Sequence, residues 1–141
     1  MKLDSNNHSV FVLWFHERTR NQRKDFLHKE SRQLANAYDA VCIEDLNMRD
    51  MARALNFGKS VSDNGWGIFS GFLDYKLTEQ GKQIIKISKW FPSSKMCSFC
   101  GTVKDDLPLA ERIYRCGCGF VCDRDVNAAL NIRNEGIRLL A

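Results

Sequence analysis

Two close pairs of cysteines in the last third of the chain constrain its folding more than any other feature. Cys97 and Cys100 form a C-x2-C pair, and after fifteen intervening residues Cys116 and Cys118 form a C-x-C pair. Four thiolates at such intervals can surround one zinc ion tetrahedrally. Metal binding stabilises a segment that is too short to bury a core of its own. The pattern therefore predicts a zinc ribbon.

The glycines that follow each pair support this prediction, and one neighbouring cysteine leaves an alternative open. Gly101 and Gly119 permit the tight turns that let backbone amides point at sulfur. A C-x-C gap is less usual than C-x2-C, so in a minority alternative Cys122 replaces one member of the second pair. Otherwise Cys122 and Cys42 are small packed residues. Iron–sulfur ligation is a second alternative, and the intervals favour zinc over it.

Composition indicates that these cysteines belong to a globular, reduced protein. The chain has 141 residues, 44% of them hydrophobic, which suits one domain or a partial domain with a small metal-stapled insert. The thiol spacing and the lack of a convincing secretion signal argue against disulfides and favour a cytoplasmic location. The apolar run at 10–15 is too short to span a bilayer, so no membrane segment is expected. A net charge of +4 favours an anionic partner only weakly.

A long helix is predicted over roughly residues 9–37. Its apolar residues keep to one broad face, and arginines and lysines crowd the rest. A solvated face and a phosphate-contacting face explain this pattern equally well. The histidines lack partners at ligand spacing and are expected at the surface. The basic residues that would contact nucleic acid are Arg18, Arg20, Arg23 and Lys24, the apolar face holds Phe15, Phe26, Leu27, Leu34 and Tyr38, and the histidines are His8, His16 and His28.

Two short apolar runs predict strands. Residues 40–44, AVCIE, indicate a buried strand of parallel type with Glu44 at its exit. Residues 83–89, QIIKISK, indicate a second strand with its isoleucines on one face. Glu44 and the adjacent Asp45 point to opposite faces of a strand, so only one of them can enter a shared site. Judged locally, Glu44 is a solvated acid at a strand end.

A second helix is predicted between these strands. It spans 65–80, with Asp63 or Asn64 as its cap, Gly81 at its end and its aromatic residues packed in the core. The polar stretch 47–64 before it is interpreted as a connecting loop with one short helix.

A last helix is predicted directly after the cysteines. Asp123 and Asp125 lie at its start, and Gly136 is predicted to stop it. An acid in the first turn of a helix is ordinarily a cap or a dipole partner, which is the local interpretation of Asp125.

Four segments of the chain resemble one protein family. They are VCIEDLNM, GWGIFSGFLDYK, FPSSKMCSFCG and CDRDVNAALNI. In this order and spacing they are similar to the C-terminal part of TnpB (OrfB) proteins of insertion sequences, the RNA-guided DNA nucleases related to type V CRISPR effectors. The resemblance covers about residues 16–136.

The resemblance implies an α/β fold, namely a partial RNase H-like (RuvC) domain with an inserted zinc ribbon. The nuclease part would comprise 1–90 and 120–141, and the ribbon 91–119. The resemblance also implies that Glu44 and Asp125 hold catalytic Mg²⁺ together with an aspartate on an upstream strand. Two such ions activate a water and stabilise the leaving oxygen. This implication reverses the local interpretation of both acids.

The chain departs from the family pattern before its long helix. In the family, the first-strand aspartate and the large RNA-binding and DNA-binding regions lie well upstream, and Asp4 has no preceding apolar strand and does not replace that aspartate. Residues 11–15 are also more hydrophobic than the usual basic start of this helix. We therefore expect a C-terminal fragment that binds DNA and zinc but does not cleave alone.

Partners and alternatives follow from this expectation. A complementing N-terminal polypeptide would supply the missing strand, and full-length relatives would bind a guide RNA. One alternative is a zinc-dependent nucleic-acid-binding module without catalysis, and another is an unstable remnant with an exposed sheet edge.

Overall fold

A computed structural model describes residues 5–46, 65–108 and 110–141. Within these residues the elements are α1 (Ser5–Ala37), β1 (Ala40–Glu44), α2 (Trp66–Thr78), β2 (Gln83–Ile87), β3 (Ile113–Arg115), β4 (Val121–Asp123) and α3 (Arg124–Leu140). In this part of the chain β1 pairs with β2, and β3 pairs antiparallel with β4. The described elements thus mix helices and strands, as the sequence predicts for an α/β chain.

The chain divides into two compact units. The first comprises the described parts of Met1–Asp39 and Met48–Gln83, and the second comprises those of Ala40–Asn47 and Ile84–Ala141. The first unit contains α1 and α2, and the second contains β1, most of β2, the β3–β4 hairpin and α3. All four paired cysteines therefore lie in the second unit.

The first unit is built by α1 packing along α2. Leu73 and Leu77 of α2 are buried against this partner. The aromatic residues predicted to pack in the core are only half-buried, namely Trp66, Phe69 and Phe72. Lys76 is also fully buried, which the hydrophobic pattern did not predict. Its ammonium donates to Ser31 Oγ at 2.7 Å and to the His28 carbonyl oxygen at 2.6 Å. These bonds make burial tolerable, because a buried charge needs hydrogen-bond partners.

Much of the predicted apolar face of α1 remains exposed. Phe15 is 50% exposed, Phe26 59% and Tyr38 56%. The physical reason is length, since α1 has 33 residues and α2 has 13, so at about 1.5 Å per residue α2 can cover less than half of α1. Within the described residues, no helix has both the length and the apolar character needed to cross a membrane.

The start of α2 differs from the prediction, and its end agrees with it. Gly65 occupies the N-cap position without a side-chain hydrogen bond, and Asp63 and Asn64 lie outside the described residues, as does most of the predicted loop 47–64. Gly81 follows the helix with a φ of +68°, a conformation that favours glycine. Its amide donates to the Thr78 carbonyl at 3.0 Å, which closes the last turn.

The two strands of the first sheet agree with the prediction in position but not fully in burial. Every residue of β1 is half-buried, whereas the sequence predicts a buried strand. In the described residues its sheet has two strands, so each strand has less cover than in a larger parallel sheet. Ile85 and Ile87 of β2 are buried, as the alternation predicts. The amide of Asp45 donates to the Ile87 carbonyl at 3.0 Å, which holds the exit of β1 beside the end of β2.

The last helix is longer than predicted. It continues through Gly136 to Leu140, so the predicted stop at Gly136 is wrong. Gly136 is buried, and a Cβ built on it would overlap Cys42 Sγ and lie 2.9 Å from Cys42 Cβ. Gly136 therefore permits a close approach of α3 to β1 instead of ending the helix.

Candidate metal centre and acidic site

The four paired cysteines converge in the second unit. Their sulfur atoms all lie within 4.8 Å of one another. Cys97 Sγ is 3.9 Å from Cys118 Sγ, and Cys100 Sγ is 3.6 Å from Cys116 Sγ. Four sulfurs at about 2.3 Å from a tetrahedral zinc ion would be about 3.8 Å apart. The cluster therefore has the donor set and the spacing that such an ion requires.

Two glycine turns shape this sulfur cluster. The amide of Gly101 donates to the Cys97 carbonyl at 2.9 Å, and that of Gly119 donates to the Cys116 carbonyl at 3.0 Å. Their φ angles are +78° and +93°, so any other residue would be strained at either position. Cys122 is not a member of the cluster, and its Sγ lies 3.2 Å from the Asp123 carbonyl oxygen.

The sulfurs affect one another electrostatically. Hydrogen bonds with Thr102 lower the pKa of Cys100 to about 6, aided by the neighbouring thiols. At Cys118 the Phe120 amide lowers the pKa, but desolvation and the other three sulfurs together raise it to about 12. Four neighbouring thiolates repel one another, so full ionisation of the cluster needs a cation at its centre.

A small hydrophobic core packs against the cluster and includes one of its cysteines. Cys97, Leu107 and Tyr114 are buried together. The Tyr114 hydroxyl donates to the Lys95 carbonyl at 2.9 Å. Desolvation, and secondarily the charge of the cysteines, raises the pKa of Tyr114 to about 12. The tyrosine therefore stays protonated and keeps its role as a donor at neutral pH.

Two buried asparagines of α3 hold the segment that leads into the cluster. Asn127 Nδ2 donates to the Met96 carbonyl at 2.7 Å, and Asn131 Nδ2 donates to the same oxygen at 2.6 Å. Asn127 Oδ1 also accepts the Ser98 amide at 3.0 Å. These contacts fix the backbone on both sides of Cys97.

Glu44 lies at the exit of β1, where the sequence predicts it. It is half-buried, and Ser93 Oγ donates a hydrogen bond to its Oε1. Asp45 is exposed. The carboxylate of Glu44 is therefore oriented from within the second unit.

Asp125 lies in the first turn of α3, as predicted. Asp123 is the N-cap, and its Oδ1 accepts the amides of Asp125 at 2.8 Å and Val126 at 3.2 Å. Asp123 therefore performs the capping role that a local interpretation assigns to an acid at this point. The side chain of Asp125 is exposed. Because α3 packs against β1, the elements carrying Asp125 and Glu44 are neighbours.

Three of the basic residues predicted to contact nucleic acid line one groove. Arg20, Arg23 and Lys24 of α1 border a groove of about 810 Å³ in the first unit. Gly67 and Gly71 of α2 form part of the opposite wall, and nothing lies within 4 Å of a Cβ built at either position. The groove thus offers positive charge beside an open helix backbone.

Arg18 and the described histidines of α1 do not line this groove. The Arg18 guanidinium lies 5.2 Å from the centre of the Trp14 ring, a cation–π distance. His16 and His28 are exposed, as predicted, and the side chain of His8 lies outside those described. His28 Nε2 is 3.1 Å from the Tyr75 hydroxyl, so this histidine joins α1 to α2.

Sequence reasoning missed Ser93, Asn127 and Asn131. One signal was available, because Asn127 and Asn131 are four residues apart and therefore share a face of α3. Polar residues at that spacing between alanines and leucine mark a buried polar contact. Nothing in the local sequence distinguishes Ser93 from Ser94.

The four-cysteine cluster, which could hold a metal ion, and the mixture of helices and strands that carries it place this chain in the class of α/β proteins with a candidate metal-binding ribbon. Two family models match this chain, one described as a probable transposase (OrfB_IS605) over residues 12–55 and one described as a Cas12f1-like TNB domain over residues 66–132. The chain belongs to the TnpB/OrfB family of insertion-sequence proteins.

Named relatives agree with this assignment. A putative RNA-guided DNA endonuclease of Streptomyces pristinaespiralis is 43% identical over 126 residues, which cover 89% of this chain and 31% of the relative. TnpB-like protein L79 of Acanthamoeba polyphaga mimivirus is 30% identical, with 88% of this chain and 25% of the relative covered. The chain thus spans a quarter to a third of the length of these relatives.

A solved structure shows the same fold. One chain of the cryo-EM structure of the Cas12f1-sgRNA-target DNA complex matches with a TM-score of 0.67 and 24% identity. The match covers 87% of this chain and 36% of that chain. At this identity the likeness concerns the fold.

Proposed function

We propose that this chain carries the zinc ribbon and two metal-binding carboxylates of an RNA-guided DNA nuclease. One observation carries the proposal. The helix that follows the four-cysteine cluster carries Asp125 in its first turn and packs against the strand that ends at Glu44. We infer that this packing, together with the hydrogen bond from Ser93 to Glu44, brings the two carboxylates to one metal site.

The finer architecture forms part of this proposal. The described strands and α3 would belong to a partial RNase H-like (RuvC) domain comprising 1–90 and 120–141. Residues 91–119 would form the inserted ribbon. The fold likeness to a chain of the Cas12f1 complex supports this division, and the sulfur spacing supports zinc as the ion of the ribbon.

The acids suit magnesium in kind. Carboxylate oxygens are the protein ligands that Mg²⁺ accepts, so Glu44 and Asp125 would hold it. When bound, such ions supply an activated water and stabilise the leaving oxygen of a phosphodiester. The hydroxyl of Ser93 would keep the Glu44 carboxylate oriented by donating to Oε1.

Two carboxylates are too few for a pair of magnesium ions. A two-metal site needs several carboxylates that converge on both ions. We therefore propose that cleavage requires a further carboxylate beyond Glu44 and Asp125, from a complementing polypeptide, and that this chain alone does not cut DNA.

A cleavage assay tests this proposal. The zinc-loaded chain is incubated with Mg²⁺ and single-stranded or duplex DNA, and no cut product is expected above a no-protein control. Asp125→Ala and Glu44→Gln serve as matched controls for contaminating nucleases. Robust cleavage by the wild type that disappears in Asp125→Ala would show that the chain is catalytically complete.

The same assay has a positive arm. The upstream two thirds of a full-length relative, purified separately, is added to this chain together with the guide RNA of that relative and a matching target DNA. Cleavage that requires both polypeptides and Asp125 is the expected result. Failure of the mixture, with each polypeptide folded, would count against the catalytic role of this chain.

The basic groove favours a second function, which is nucleic-acid binding without catalysis. Arg20, Arg23 and Lys24 line one groove, and the glycines of α2 that also line it leave space for a phosphate backbone to approach. Binding of this kind weakens steeply with salt, because each neutralised phosphate releases counterions.

A salt titration checks this second function. The triple variant Arg20→Ala, Arg23→Ala, Lys24→Ala should bind DNA more weakly, and its slope of log K against log salt should be smaller by about 2 to 3. The matched control removes three exposed cations of equal charge elsewhere, Lys86, Lys89 and Arg133. Equal losses in both triples, or no binding by the wild type at low salt, would refute the groove as a binding surface.

A further inference from the structure

We propose that Ser93 and Asn131 are positioning residues that couple the four-cysteine centre to the carboxylate of Glu44. The proposal rests on the metal-binding role suggested above for Glu44. It assigns to the ribbon a second task, which is to fix the geometry of the acidic site.

The coupling begins at Cys97. The residue before it, Met96, accepts two side-chain amides at its carbonyl oxygen, from Asn127 at 2.7 Å and from Asn131 at 2.6 Å. The residue after it, Ser98, donates its amide to Asn127 Oδ1 at 3.0 Å. Any displacement of Cys97 that accompanies assembly of the sulfur cluster therefore acts directly on these asparagines.

The coupling continues through one nitrogen atom. Asn131 Nδ2 donates to the Met96 carbonyl and also to the Ser93 carbonyl at 2.8 Å. Ser93 Oγ in turn donates to Glu44 Oε1. One amide group thus joins the backbone beside a metal ligand to the residue that orients the acid.

We call the hydrogen-bonded chain from Asn127 and Asn131 through Ser93 to Glu44 the relay. Its asparagines and serine are buried, so a broken hydrogen bond in it is not replaced by water. Asn127 is 0% exposed, Asn131 1% and Ser93 6%. A buried donor or acceptor that loses its partner is destabilising, because no water replaces the bond. The relay therefore has one satisfied arrangement, and a shift at Cys97 must be followed by Ser93 or leave a polar group unpaired.

Side-chain NMR on the full zinc-loaded chain tests the relay. Glutamate is labelled with ¹³C at the carboxyl carbon, and the Glu44 resonance is identified by its loss in Glu44→Gln. Ser93→Ala and Asn131→Ala should shift this resonance in the same direction. Ser93→Thr, which keeps the hydroxyl, should restore it, and Asn134→Ala, an exposed asparagine of the same helix, should leave it unchanged.

Replacement of zinc by cadmium tests the link to the metal centre. Cadmium also prefers thiolates but is larger, so it expands the sulfur cluster without releasing it. The Glu44 resonance should shift on this exchange in the wild type and shift less in Asn131→Ala. Should Asn131→Ala fail to fold, Asn131→Leu, which keeps about the same size and lacks the amide donor, replaces it.

The outcomes distinguish the relay from the function on which it rests. If the chemical shift of Glu44 changes neither on Asn131 substitution nor on cadmium exchange, the relay is refuted. Mn²⁺ titration of protein labelled at both glutamate and aspartate carboxyl carbons supplies the independent readout. Mn²⁺ should broaden the Glu44 and Asp125 resonances together and bind Ser93→Ala about tenfold more weakly than the wild type. If Mn²⁺ broadens neither acid while the relay shifts persist, the proposed metal site is wrong and the relay stands.

Discussion

At the scale of single residues, two glycines in helices affect stability in opposite ways. Gly136 of α3 faces Cys42 so closely that an added Cβ would overlap its sulfur atom. Gly71 of α2 is exposed, and nothing lies within 4 Å of a Cβ built there. The first glycine is required by packing, whereas the second has no packing role among the described residues and weakens its helix.

Alanine at each position should therefore change stability in opposite directions. Gly136→Ala should lower the free energy of unfolding by about 1–3 kcal/mol, because the helix must move away from β1. Gly71→Ala should raise it by up to about 1 kcal/mol through helix propensity. Urea unfolding of the zinc-loaded variants measures both. A neutral Gly136→Ala would show that α3 and β1 do not approach as described.

At the scale of elements, the α1–α2 pair is joined by a buried cation. Burial lowers the pKa of Lys76, the nearby Arg32 lowers it further, and Glu79 opposes both. Its ammonium also lies 3.0 Å from His28 Nδ1 and 5.6 Å from the centre of the Tyr75 ring. The folded first unit therefore holds the proton of Lys76 less firmly than the unfolded chain does.

This difference in proton binding predicts how stability changes with pH. Between the lowered pKa of Lys76 and its ordinary value of about 10.5, the unfolded state binds more protons, so the folded state gains stability as pH rises. The wild type should thus gain stability relative to Lys76→Met as pH rises from the lowered pKa of Lys76 towards about 10.5. Thermal melts of both proteins at several pH values measure the gain. Lys86→Met, at an exposed lysine, should show no such trend.

The elements also show how far sequence reasoning extends. The cysteine spacing predicted a cluster whose sulfurs do converge. The apolar runs at 40–44 and 83–89 predicted strands, and strands form at Ala40–Glu44 and Gln83–Ile87. These features depend on neighbours in the sequence. The contact between Ser93 and Glu44 spans 49 positions, and that between Asn131 and Ser93 spans 38. Such contacts follow from how elements pack, which no local pattern encodes.

At the scale of the whole molecule, the two units are stabilised by different means. The first relies on helix packing, with Leu73 and Leu77 buried. The second has the small core around Cys97 and Tyr114, next to the sulfur cluster. A structural zinc ion supplies about 10 kcal/mol or more, which is comparable with the entire stability of an ordinary domain.

Metal removal should therefore unfold one unit selectively. Chelation should abolish amide-exchange protection in β3, β4 and α3 while α1 and α2 keep theirs.

The cysteine variants test which thiols bind the ion. Cys118→Ser should reduce zinc binding strongly, whereas Cys122→Ser should retain one zinc per chain, as measured by a metal-release assay. Loss of zinc in Cys122→Ser would revive the alternative in which Cys122 is a ligand.

The asparagines of α3 donate hydrogen bonds to main-chain atoms, and this predicts which changes the contacted segment can accept during evolution. Asn127 and Asn131 recognise the carbonyl of Met96, not its side chain. Substitutions of the Met96 side chain would leave these two hydrogen bonds intact. A one-residue deletion between Ser93 and Cys97 would instead misalign both ends of the segment. This stretch should therefore drift freely in composition over generations while its length stays fixed.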